Sequence, residues 1–267
     1  MKKMILTFSM GLLIVAAHGQ QTQGRVVYER TVQMQMRLEG MGDGDVRAKP
    51  STHKEKLEVL FGNNQSLRRA LQDDTQDEMA ESGGGGMHIR MMVAGDNDVS
   101  YHNFSTSQSV EQREFGTRNY IVADSIQRLH WKLTGETTTI LNYPCQQAVT
   151  QRIEKRREPS MENGVMKSRE VTDTANIIAW FTPTIPVPAG PDFQGQLPGL
   201  ILGLDIHDGR MVYKAVEITE QTELSAIKAP SKGKKVTASE FEVERDKMIA
   251  EMQKNAGKGR NMIRIGG

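Results

Sequence analysis

Cysteine is nearly absent from this chain: Cys145 is the single one among 267 residues. An intramolecular disulfide is therefore excluded, and so is a metal site built from several thiolates. A lone thiol beside Tyr143 and Pro144, with no basic neighbour to lower its pKa, is expected to be buried and inert. Aromatic residues are also scarce, at 5%. Beyond the N-terminus no run is apolar enough to span a bilayer. The longest, Leu197 to Ile206, contains Pro198, two glycines and Asp205, against the roughly 20 apolar residues a span requires. A dominant charge is missing too. The formal net charge is +1, and it becomes −1 without Lys2 and Lys3, which argues against nucleic acid as a global partner. No G-x-S-x-G, H-E-x-x-H, P-loop or Rossmann fingerprint occurs. His53, His88, His102, His130 and His207 stand far from one another in sequence. Asp43-Gly44-Asp45 and Asp96-Asn97-Asp98 lack the closing Glu of a calcium loop. The chain carries no catalytic signature, and nothing in it calls for a cofactor.

What is present begins with an address. Lys2 and Lys3 precede an apolar run from Met4 to Ala17, and Ala17-His18-Gly19 supplies small residues where signal peptidase cleaves. Residues 1–19 are read as a signal peptide, leaving Gln20 first in an exported protein with no further transmembrane span.

The rest reads as strands. Tyr28, Val32, Met34, Met36 and Leu38 alternate with polar residues from Arg25 to Glu39, with Arg30 out of pattern on the apolar face. That period of two predicts a long half-buried strand. Leu57, Val59 and Phe61 alternate next, and Gly62-Asn63-Asn64 is a turn tolerant of positive φ. Residues 66–71 return. Residues 72–86, acidic and then glycine-rich, are read as a flexible loop. Met87 to Ala94 and Val99 to Phe104 flank a turn. Further strands are expected near 110–115, 119–123, 129–133 and 137–141. The charged stretch 152–169 is read as a second flexible loop. Residues 177–181, 200–206 and 211–224 complete the set, with a tight turn at His207–Arg210. Short strands in close succession predict a meander. The fold class expected is mainly β: a single curved antiparallel sheet or partly closed barrel over residues 20–227, followed by a basic tail, 228–267, that holds a short C-terminal helix. Ser239 and Glu242 are spaced as a capping box for that helix, and residues from Asn255 onward are expected to fray. From Lys228 to the end, ten basic residues face five acidic ones.

One region is distinctive. Trp131-Lys132-Leu133-Thr134 is followed by Ile140-Leu141-Asn142-Tyr143-Pro144-Cys145, then Ala179-Trp180-Phe181-Thr182, then Ile185-Pro186-Val187-Pro188-Ala189-Gly190-Pro191. Last comes Gln196-Leu197-Pro198-Gly199-Leu200-Ile201. In this order the segments resemble the GLPGLI family, exported and largely uncharacterised proteins of Gram-negative bacteria, over about residues 129–218. The resemblance implies the periplasm, or the periplasmic face of the outer membrane, and supplies no catalytic residues. Gln196 stands where the family motif opens with Gly, and a positive φ there would strain a glutamine.

Read physically, Pro183 to Pro191 is stiff and poor in backbone donors, so it is expected as a fixed connector at a sheet edge. Gly199 is expected to admit a close neighbour such as Trp180. The motif residues Trp180, Pro186, Gly190, Pro191, Leu197, Pro198, Gly199, Leu200 and Ile201 then serve as a folding corner or as an apolar rim for a partner.

Methionine supplies a second signal. Thirteen of the sixteen remain after Gly19. Met34, Met36, Met87 and Met91, with His88 beside them, gather in two expected strands as candidate soft-metal ligands suited to Cu(I). Filling a core short of aromatics is the plainer role. Cu(I) titration against a competing chelator tests the metal site, and a lack of competition sinks it.

The expected function is that of a non-enzymatic binding or accessory protein of the envelope, its partner an unidentified envelope protein or an apolar ligand. Two alternatives accompany it: a carrier of lipid in a half-barrel, and a methionine-based copper protein. A dispersed-residue hydrolase would require a cleft with converging titratable groups.

Overall fold

The alternation after Gly24 does what a period of two dictates. In a computed structural model describing residues 21–34, 51–71, 98–115, 118–162 and 165–259, β1 (Gly24–Met34) buries Val26 and Tyr28 completely. Arg30 points to the same buried face. It survives there because Glu55 lies directly opposite on β2 (Ser51–Gly62), 2.5 Å from its Nε. An ion pair set by register answers the break in the pattern.

From β1 the chain winds as a meander through β2, β3 (Gln65–Ala70), β4 (Val99–Asn103), β5 (Gln108–Phe115) and β6 (Arg118–Ser125). Asn63 and Asn64 take positive φ in the β2–β3 turn, as expected. The second run, β7 (Lys132–Ile140), β8 (Tyr143–Glu162), β9 (Val165–Thr182), β10 (Leu200–Ile206) and β11 (Met211–Thr219), returns to the other edge of β1. A short β12 (Lys234–Val236) pairs in parallel with β6, so the sheet is mixed, with twelve strands in the order 12-6-5-4-3-2-1-11-10-9-8-7.

That order shows the curvature. β6 and β7 lie ten strand spacings apart in the sheet, roughly 48 Å if it were flat. Six residues, 126–131, join them, a reach of roughly 20–25 Å at most. The sheet is therefore strongly curled, and it remains open between these ends.

Several expectations are corrected. The two strands expected at 129–133 and 137–141 are one, β7, interrupted by a bulge between Leu133 and Thr137. The stretch 152–169 is not a loop. It is the outer part of the β8–β9 hairpin, which runs in unbroken register to Glu162 and Val165 and projects beyond the pairing of β7 and β10. The helix α1 (Ala238–Gly259) starts two residues earlier than predicted, on a box made by Thr237 and Glu240. Glu240 N donates to Thr237 Oγ1 at 3.2 Å, and Thr237 N donates to Glu240 Oε2 at 2.7 Å. Backbone through Gly259 is helical, so fraying at Asn255 is not seen. The segments 72–86 and 87–94 lie outside the described residues.

The 17-residue stretch between β9 and β10 is the largest correction. It joins two interior neighbours of the sheet and packs against its concave face, with Ile185, Val187, Ala189, Phe193 and Leu197 buried. Apolar side chains on such a stretch gain about 1.5–3 kcal/mol each by leaving water, which an edge position would forfeit. They join Val26, Tyr28, Val59, Phe61, Phe181, Leu200 and Ile201 in one core. Residues 220–233 cross the convex face instead, where Ile227 packs on Leu60 and Leu67. Alternation along β2 separates these two cores: Val59 and Phe61 face inward, Leu60 outward.

Candidate functional site

The family-motif residues are built into this inner core. Gly199 is there because a Cβ would stand 2.2 Å from the Thr182 carbonyl oxygen. Its close neighbour is thus backbone and not Trp180, which is half-buried and crosses Gly203 from β9. A Cβ on Gly190 would meet Ile201 at 2.8 Å. Leu197, Leu200, Ile201 and Pro191 are buried, whereas Pro186 and Pro198 are exposed. Gln196 carries no strain: the positive φ, 79°, falls on Gly195. Its side chain has a task of its own, since Oε1 accepts from Leu129 N at 3.0 Å and from Trp131 Nε1 at 2.9 Å. One amide therefore fastens the β6–β7 link to the connector. Trp131 also meets Phe193 edge-on at 5.7 Å.

Cys145 is buried, and burial raises its thiol pKa, as an inert core position requires. Met36, Met87, His88 and Met91 lie outside the described residues; Met34 is the last residue of β1.

The residues that the structure brings together were not singled out by the sequence. Ladder register aligns Ser66, His102, Ser109 and Asp124 in one row across β3 to β6, and Arg68, Ser100, Glu111 and Val122 in the next. Both rows face inward, because Ser66 is opposite Phe61 and Arg68 opposite Val59. This stretch of the concave face is thus polar where the remainder is apolar. The connector answers it in kind. Ser66 Oγ donates to Gln194 Oε1 at 2.5 Å, and Arg68 donates to the Pro191 carbonyl at 3.1 Å.

Between this polar stretch, the link 126–129, the connector and Arg152 of β8 lies a cavity of about 250 Å³. It sits where the curled sheet fails to close. Its walls include His102, Glu111, Asp124, Asp192, Gln194 and Gln196. Exposed Asp124, Ser125 and Gln127 form its outer lip. Ala238, at the start of α1, closes one side, held by Phe241 packed edge-on against Tyr120 at 5.3 Å.

Burial lowers the His102 pKa, outweighing the opposing pull of Glu111 and Asp192, so the imidazole is neutral at pH 7. Its Nε2 lies 3.3 Å from Ser109 Oγ, and its buried Nδ1 has no partner among the described residues. Burial disfavours the Arg68 charge, but Tyr213, Asp192, Glu111 and Asp98 around it hold the guanidinium above its ordinary pKa. Arg113 is paired with Glu111 at 2.6 Å and lies over Phe241. Arg152 is paired with Glu154 and lies over Phe193. The Ser109–His102 contact follows from the ladder, in which the two are direct partners. Among the described residues no group on Nδ1 orients the ring as the third member of a triad would.

An apolar carrier needs an empty apolar hollow. Here the chain's own connector packs on the concave face, and the cavity beside it presents polar and apolar surface in nearly equal measure. Among the described residues no helix is long and apolar enough to cross a membrane.

Comparison with known proteins adds a family relation over part of the chain. Residues 131–203 match a family model described as a protein of unknown function, Porph_ging. That span runs from the end of the β6–β7 link to β10 and includes the whole connector. No curated protein matches. Two solved structures of PNGF-II, in the P21 and C2 space groups, share 15% and 16% identity, each with a TM-score of 0.49. They cover 83% and 85% of this chain and 32% of their own, so the chain spans about a third of the proteins it matches.

Proposed function

We propose that this chain is an exported envelope protein of the GLPGLI type that binds a small polar solute, without transforming it, in the cavity where its curled sheet stays open. The observation carrying this reading is the polar stretch of the concave face. Turning Ser66, Arg68, Ser100, His102 and Glu111 inward, the two serines buried and the others half-buried, disfavours folding unless they are paired or used, and His102 and Glu111 border a solvent-open hollow flanked by the connector. The Lys2–Gly19 pattern supports export. The order of the Trp180 and Gln196–Ile201 motifs, with the partial family match, supports the GLPGLI relation. A non-catalytic role is supported by paired guanidiniums and by a His102 ring with no orienting partner among the described residues. An accessory role toward another envelope protein is compatible with the same site, because a bound solute would alter the lip formed by Asp124, Ser125 and Gln127.

The test is native mass spectrometry of the mature protein isolated from its own envelope. A retained polar solute small enough for about 250 Å³ is the expected result. A retained lipid, or turnover of a solute on incubation, overturns the reading.

A further inference from the structure

The uncommitted hydrogen-bonding groups of the cavity identify what it takes. Among the described residues, each guanidinium that reaches it is already matched. Arg113 has Glu111, Arg152 has Glu154, and Arg68 lies among Asp192, Glu111 and Asp98. A site for an anion leaves a cation open to pair with its ligand; this one does not. What remains open is neutral donors beside acceptors. Gln196 spends Oε1 on Leu129 and Trp131, and Gln194 spends Oε1 on Ser66. Among the described residues neither side-chain NH2 group makes a hydrogen bond, leaving their donors available. Asp192 uses Oδ1 to accept from Phe193 N at 2.8 Å, and Asp124 uses Oδ1 to accept from Ser125 N at 2.7 Å. Each keeps its second carboxylate oxygen. The buried Nδ1 of His102 adds a group able to donate or accept, whereas the Ser109 hydroxyl is shared with His102 Nε2 and that of Ser125 with Asp124 and Gln127.

From this pattern we infer that the cavity binds a neutral polyhydroxyl ring, of the size of one monosaccharide or cyclitol. A carboxylate oxygen accepts from a hydroxyl, an amide NH2 donates to the next, and neither needs a net charge on the ligand. The size is compatible: the cavity measures about 250 Å³, just under the roughly 300–1,000 Å³ of pockets for drug-sized ligands. The donors are also rigidly presented. Gln196 and Gln194 are fixed by the bonds that their carbonyl oxygens accept, so little side-chain freedom is lost on binding.

This inference rests on the binding role proposed above, and the experiment separates the two. The mature full-length chain is titrated calorimetrically with a panel of hexoses, N-acetylhexosamines and cyclitols. Parallel titrations use L-alanine as a zwitterion and inorganic phosphate as an anion. Saturable binding of at least one polyol is expected, with no binding of alanine or phosphate. Gln196→Glu keeps the oxygen that holds Leu129 and Trp131 but removes the free donors, and should weaken binding tenfold or more. Ser109→Leu fills the hollow from β5 and should abolish binding. Thermal melting of each variant identifies any loss of folding, and Gln194→Glu repeats the donor test at a second position if Gln196→Glu unfolds. Phosphate or alanine binding that Ser109→Leu abolishes would overturn the polyol assignment and leave the binding role standing. No binding by any probe, with an empty native mass spectrum, would overturn both.

Discussion

The concave face of the sheet has two stretches built from the same ladder and opposite chemistry. Across β1, β2 and β8 to β11 it presents Val26, Tyr28, Val59, Phe61, Phe181 and Leu204, and the connector seals it. Across β3 to β6 it presents Ser66, Arg68, Ser100, His102, Ser109 and Glu111, and a hollow remains. The first stretch is where stability is concentrated. The second holds buried polar groups that a protein optimised for stability alone would replace, which is why the site is assigned there.

Substitutions can break that contrast or sharpen it. The largest effect is expected in the sealed stretch. Gly199→Ala would drive a methyl to within 2.2 Å of the Thr182 carbonyl oxygen. Backbone cannot step aside cheaply, so a loss of about 3 kcal/mol is expected in denaturant unfolding. Gly135→Ala, at the β7 bulge with open space around it and φ of 85°, should cost only about 1 kcal/mol from backbone strain. Equal losses would show that the connector is not the keystone of the inner core.

Next in size is Gln196→Ala, at the boundary between the stretches. It strands Leu129 N and Trp131 Nε1, and about 2 kcal/mol should be lost. Tryptophan fluorescence should report a looser Trp131 well below the melting temperature. An unaltered spectrum and melt would mean that the link holds without the connector.

A smaller effect is expected from charge on the convex face. Burial alone would raise the Glu58 pKa, but hydrogen bonds from Arg25 and Arg69, at 2.5 and 2.7 Å, bring it below its ordinary 4.5. A depressed folded-state pKa contributes stability that is fully present above the unfolded value. It is lost as pH falls through the lower, folded one. Stability should therefore decline below about pH 4.5 in the wild type, and Glu58→Gln should flatten that part of the profile. An identical acid slope in the variant would assign the decline to other carboxylates.

The smallest change is expected from the polar stretch itself. His102→Leu removes a buried ring with an unpartnered nitrogen, so stability should shift by no more than about 1 kcal/mol while solute binding is lost. A loss as large as that of Gly199→Ala would make His102 a structural residue and erase the contrast.

The sequence announces these two stretches unequally. Val59, Phe61 and Leu200–Ile206 advertise their strands by alternation or by continuous apolarity, and the meander follows from turns such as Asn63-Asn64. The cavity does not, because His102, Ser109, Asp124, Asp192 and Gln196 come from separate segments and converge only when the sheet curls. Within β8 and β9, dense charge hid a legible cue: Asn163-Gly164, a favoured hairpin dipeptide, stands between the paired Glu162 and Val165. The capping box was displaced because Ser239/Glu242 and Thr237/Glu240 share one spacing, and only the second pair can reach its own backbone donors. β12 was invisible because three residues, two of them lysine, owe their strand to the open edge of β6 and not to any pattern of their own.

The central place of β1 has a consequence for how the chain assembles. Its partner on one side, β2, follows closely, but on the other side Arg25 meets Glu217, 192 residues further along. A chain made from its N-terminus therefore carries an unsatisfied row of backbone donors and acceptors on β1 until β11 exists. Contacts so distant in sequence slow folding, and an open edge of that length invites pairing with other chains in the meantime. Guarding β1 until the chain is complete is thus a demand that the finished topology places on the cell.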